Sequence, residues 1–132
     1  MSKIRCECGH VIVDQTDNLQ YKADIIPDTA LYPLFDRLDD IVDTLTDAIQ
    51  NGKKKEWIDK YFDQSYPRDL SNSSMMRDLF LRHYADVSKQ IYQCEGCGRI
   101  LIQKDKTLSF VTFKPESDDW AGILNNPPNH KY

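Results

Sequence analysis

Four thiols carry the plainest chemistry in this chain: Cys6 and Cys8 in Arg5-Cys6-Glu7-Cys8-Gly9, and Cys94 and Cys97 in Cys94-Glu95-Gly96-Cys97-Gly98. Each pair is followed by a glycine, the residue that lets backbone fold beneath an ion without a Cβ in the way. A quartet of thiolates fits one tetrahedral metal, usually zinc. Cys6, Cys8, Cys94 and Cys97 therefore read as the ligands of a single Zn2+, with iron in the same four-thiolate geometry as the alternative metal. An ion saturated by four thiolates has no open position for water, which makes the expected role structural.

These pairs need elements that bring the two ends of the chain together. Residues 3 to 14 alternate around Gly9, with Ile4 and Cys6 leading in and Val11 to Val13 leading out, which predicts a β-hairpin with the first cysteine turn at its tip. Strand character returns at Gln90 to Gln93 and at Ile100 to Ile102, on either side of the second turn, and again from Leu108 to Phe113. Between the ends the pattern is helical. Leu34, Leu38, Ile41, Leu45 and Ala48 recur at three- and four-residue steps over residues 33 to 50, Pro33 suits a first turn, and Asn51-Gly52 supplies the stop. Further helices are predicted over 54 to 63, with Trp57, Ile58, Tyr61 and Phe62 on one face, and over 75 to 88, where Met76, Leu79, Phe80, Tyr84 and Val87 form the stripe. The segment 14 to 28 reads as a link with a turn at Asp17-Asn18 and an extended piece at Ile25 to Pro27.

With the cysteine turns and their flanking strands in place, the chain resembles a zinc ribbon, a family in which two β-hairpins each present a cysteine turn to one structural zinc. The resemblance covers only the ends. It departs in the first turn, which has one residue between its cysteines where the family has two, and this leaves His10 as a substitute ligand. The helical insertion of about residues 29 to 89 is no thermodynamic objection. Each doubling of a closed loop costs about 0.6 kcal/mol, against roughly 10–16 kcal/mol of apparent binding energy for structural zinc. The expected fold class is α+β: a small antiparallel sheet from the N- and C-terminal hairpins, with Ile91-Tyr92 returned beside Ile4, stapled by the metal, with about three helices inserted and packed on it. Residues 1 to 124 form one domain in this reading, and 125 to 132 a flexible tail.

Composition narrows the partners. The 132 residues carry 40% hydrophobic side chains and a formal net charge of −4, so the chain can bury a core and has no general pull toward nucleic acid or anionic membrane. The N-terminus lacks the apolar core of a signal peptide, and no run reaches a membrane span, which predicts a cytoplasmic protein. In that compartment cysteines at these spacings are metal ligands rather than disulfides.

The first helix carries Asp36, Asp40, Asp43 and Asp47 on one arc opposite its apolar stripe, with Asp39 beside them. Like charges at these steps repel, and the arc reads either as a solvated face or as a docking surface for a basic protein. His83 falls within the apolar face of the third helix, where a lone histidine is usually a hydrogen-bonded core residue rather than a base. Phosphate-cradling glycine loops, HExxH, nucleophile-elbow serines and EF-hand loops are absent from the sequence. The function expected is a non-enzymatic protein-binding module of the immunity-protein or antitoxin type that covers a basic partner. The alternative is a nucleic-acid-binding or transcription-associated ribbon using Lys3, Arg5, Lys53 to Lys55, Arg99 and Lys104.

Overall fold

The computed structural model describes residues 2–125; the expected tail lies outside the described residues apart from Asn125. The fold is α+β, with the order β1 (Ser2–Arg5), β2 (Val11–Asp14), β3 (Lys22–Ile25), α1 (Asp28–Gln50), α2 (Lys54–Tyr61), α3 (Asn72–Val87), β4 (Lys89–Gln93), β5 (Ile100–Gln103) and β6 (Phe110–Phe113). The chain divides into two compact units, one from its ends and one from residues 26–88.

In the first unit, β1 and β2 form an antiparallel hairpin in which Ile4 faces Ile12. A separate antiparallel sheet has the order β3-β4-β5-β6. The terminal hairpins therefore do not share one sheet. Ala23, not Ile4, stands beside Ile91, because the chain reverses through Asn18, held at a left-handed φ of 61°, and brings residues 22–25 along the free edge of β4. What read as a link is a strand. Alternation then sorts the side chains, and Tyr92, Leu101 and Phe110 form one core with Ile4, Ile12, Tyr21, Cys6 and Cys94.

Polar contacts tie the two sheets of this unit. The Asp14 carboxylate accepts from Lys22 Nζ at 2.6 Å and from the buried Tyr92 hydroxyl at 2.5 Å, and the Tyr21 hydroxyl donates to the Val13 carbonyl. Burial would raise the Asp14 pKa, but the bonds from Lys22 and Tyr92 and the lysine charge outweigh it and hold the carboxyl below its usual range.

In the second unit α1 packs on α2 and α3. Its core contains Ile41, Leu45, Trp57, Ile58, Phe62, Met75 and Leu79, and Trp57 Nε1 donates to Thr44 Oγ1 at 3.0 Å. Helix α1 begins five residues before Pro33, after an extended Pro27. The proline omits one bond to the Thr29 carbonyl, while Asp28 gains a place in the positive first turn. Helix α3 begins at Asn72 because Ser71 Oγ accepts from the Ser74 amide. Its buried face holds Leu79 with Met76 and Phe80 packed against the core, as spacing suggested, and adds the fully buried Met75.

Two outcomes are expected. Leu45 is fully buried, so Leu45→Ala should cost about 2–5 kcal/mol in chemical denaturation. Asp14 has a depressed folded pKa, so its contribution is present above the unfolded value of about 3.9 and is lost as pH falls through the folded one. Urea midpoints at pH 5 and pH 2.5 should therefore fall further for the parent than for Asp14→Asn.

Candidate metal centre

The two cysteine turns are built on the same plan. In the first, the Cys6 amide donates to the His10 carbonyl and the Gly9 amide to the Cys6 carbonyl, both at 2.9 Å. In the second, the Cys94 amide donates to the Arg99 carbonyl and the Gly98 amide to the Cys94 carbonyl, both at 2.8 Å. Gly9 and Gly98 close the turns at φ values of 97° and 81°, which a residue with a Cβ adopts only with strain. The first turn is one residue shorter throughout. Its single residue between cysteines is thus matched by a tighter closure, and Cys6 and Cys8 still face the second pair.

All four sulfur atoms lie within 4.8 Å of one another. Cys6 Sγ is 3.6 Å from Cys97 Sγ and Cys8 Sγ is 3.5 Å from Cys94 Sγ. These separations are far beyond a sulfur–sulfur bond. They are close to the edge of about 3.8 Å in a tetrahedron of sulfurs each about 2.3 Å from a zinc centre. The four cysteines could therefore hold a metal ion, consistent with the zinc-ribbon resemblance.

Backbone amides face three of the sulfurs. The Cys94 sulfur faces the amides of Gly96 and Cys97, the Cys6 sulfur that of Cys8, and the Cys97 sulfur that of Arg99. Arg99 Nη1 also donates to Cys97 Sγ at 3.2 Å. Without a metal Cys6, Cys94 and Cys97 do not ionise alike. Burial pushes Cys94 up to about 12 and raises Cys6. At Cys97 burial is outweighed by the Arg99 amide and guanidinium and by the neighbouring thiols, which bring it to about 6. A divalent ion would have to displace the protons of the buried thiols.

His10 is exposed and outside the sulfur cluster. Its side chain instead lies against Gly96, where an added Cβ would sit 3.1 Å from His10 Cβ. Trp120 packs over the second turn, so that a Cβ at Gly98 would fall 2.3 Å from its ring, and the Trp120 carbonyl accepts from Gln93 Nε2 at 2.6 Å. Sequence reasoning did not connect Arg99 or Trp120 with the site. A cation two residues after Cys97 was a legible signal for Arg99; nothing in the sequence pointed Trp120 at Gly98.

The remaining predicted residues lie elsewhere. Asp36, Asp39, Asp40, Asp43 and Asp47 are all exposed on α1. His83 is half-buried rather than a core residue, and it lines a cavity of about 400 Å³ with Arg37, Asp40, Lys60, Arg82 and Asp86. Lys3, Arg5, Arg99 and Lys104 belong to the unit of the chain ends and Lys53 to Lys55 to the other. No helix among the described residues is long and apolar enough to cross a membrane.

A family model described as Domain of unknown function (DUF8617) matches residues 2–117. No curated protein and no solved structure matches the chain.

Gly9 and Gly98 make a matched pair of tests, because a Cβ at Gly9 would meet nothing within 4 Å. Gly9→Ala should cost only the left-handed backbone, about 1–2 kcal/mol, whereas Gly98→Ala should cost more by displacing the indole. In a Trp120→Ala background the two costs should converge, as read by denaturant titration of the metal-loaded protein.

Proposed function

This chain belongs to the DUF8617 family, and we propose that it is a non-enzymatic protein-binding module. In this reading Cys6, Cys8, Cys94 and Cys97 hold a structural zinc ion, and the acidic arc of α1 covers a basic surface of another protein. The observation that carries the proposal is the state of that arc. Asp36, Asp39, Asp40, Asp43 and Asp47 are exposed, and among the described residues none of the five takes part in an ion pair. Like charges three and four residues apart weaken the helix that bears them by a few tenths of a kcal/mol per pair. A cationic surface laid over the arc would turn that repulsion into attraction and speed association.

Zinc is the metal best matched to four thiolates in a closed tetrahedron, and such a site adds folding energy rather than reactivity. A reducing cytoplasm keeps the thiols available for it. Small acidic proteins that cover a basic toxin, such as immunity proteins and antitoxins, are the type this reading resembles, by analogy of charge and size rather than by a motif. A second reading, a nucleic-acid-binding ribbon, draws on Lys3 and Arg5, which line a groove of about 420 Å³ with Tyr92, Leu108 and Phe110. Salt-dependent retention on single-stranded nucleic acid would favour it over the first.

The tests separate the two parts of the proposal. Elemental analysis should give one zinc per chain, and chelation should lower the melting temperature sharply; a melt indifferent to chelation would contradict the structural role. Asp40→Asn with Asp43→Asn should raise stability at low salt by roughly 0.5 kcal/mol while weakening binding to polylysine, the stand-in for a basic partner. Unchanged polylysine binding would count against the acidic arc as a contact surface.

A further inference from the structure

Helix α1 has a second, partly exposed apolar stripe beside the one that its unit's core buries. Phe35, Val42 and Ile49 follow one another at seven-residue steps and are 45%, 39% and 42% exposed, and none of them belongs to the core around Leu45. With Leu31 and Leu38, both half-buried, they complete steps of four, three and four residues up to Val42, and the position between Val42 and Ile49 is taken by Leu45, which turns into the core at the edge of the stripe. That is the spacing of the seam of a coiled coil. The exposed stretch from Phe35 to Ile49 spans roughly 21 Å along the helix at 1.5 Å per residue. Its N-terminal end is widened by Tyr32, 74% exposed, whose ring meets that of Phe35 edge-on at 6.2 Å.

The two flanks of this seam differ. On one side lie Leu34, Ile41 and Ala48, turned into the protein. On the other lie Asp39 and Thr46, with Asp36 and Asp43 next around the helix. A partner helix laid on the seam therefore meets carboxylates along its open edge. A second copy of α1 would bring the same aspartates against their like, which disfavours self-pairing. Lysine or arginine along that edge would instead form the interhelical pairs that set partner choice in helical seams.

We infer that α1 is a docking groove for an amphipathic basic helix, whose apolar residues at three- and four-residue steps seat on Phe35, Val42 and Ile49 while its cations face Asp36, Asp39 and Asp43. This rests on the protein-binding reading and gives it a partner class and a contact set. The mode is helix-in-groove recognition, in which periodic apolar anchors supply affinity and the charged rim supplies selection.

The test uses the full-length, metal-loaded protein and two synthetic peptides of about 20 residues made from leucine, lysine and alanine. One has leucines at the three- and four-residue steps of an amphipathic helix; the other has the same composition with that period destroyed. The periodic peptide should bind at least tenfold tighter and gain helical circular dichroism on binding. Val42→Asp should lower its affinity at least tenfold without changing the melting temperature, and amide shifts in the parent should cluster on residues 32 to 49. Equal binding of both peptides would overturn the helical groove and leave the acidic arc standing as a surface of charge alone. Binding of neither would overturn both readings, and self-association of the protein abolished by Val42→Asp would assign the seam to a second copy instead.

Discussion

The meeting of four sulfurs drawn from opposite ends of the chain is the constraint on which the terminal unit depends. Cys8 and Cys94 are separated by 86 positions yet stand 3.5 Å apart. Closing a loop of that size carries an entropy cost of about 4 kcal/mol beyond a constant. The core beside the sulfurs is small, with Cys6, Ile12, Tyr92, Cys94 and Leu101 as its buried members. An ion worth roughly 10–16 kcal/mol in small peptides would exceed that cost comfortably. The tight turns serve the same end, since each spends a glycine in the left-handed region to aim two sulfurs at one point.

How much of this was legible in the sequence varied with how local the cause was. The cysteine turns, the three helices and the strands beside the second turn follow from spacing and periodicity within a few residues. Strand β3 was not legible, because Lys22 to Ile25 becomes a strand only by pairing with β4, more than sixty residues later. The early start of α1 was hidden by Pro33, which suggests a helix beginning but is tolerated inside one. Met75 fell outside the expected stripe because the fit of α3 against α1 buries a face one position wider than its apolar spacing shows. The contact of Trp120 with Gly98 leaves no trace in either residue's neighbours along the chain.

The helical unit presents the opposite problem. Its core explains Leu45, Trp57 and Met75, all buried, but not why a single helix should carry five exposed aspartates between residues 36 and 47 and three exposed apolar residues at seven-residue steps. Neither feature stabilises the unit on its own: the charges repel and the apolar surface stays in water. The proposed occupant, cationic on one edge and apolar on its face, would account for both. On that proposal the cysteine-bearing unit and the helical unit divide the work, the first securing the ends of the chain and the second offering a surface.

The most direct measurement of the central claim is X-ray absorption at the zinc edge of the purified protein. The account predicts four sulfur neighbours at about 2.3 Å and no nitrogen or oxygen in the coordination shell. A shell containing nitrogen or oxygen, or protein that folds fully with no metal present, would contradict the reading of Cys6, Cys8, Cys94 and Cys97 as a closed structural site.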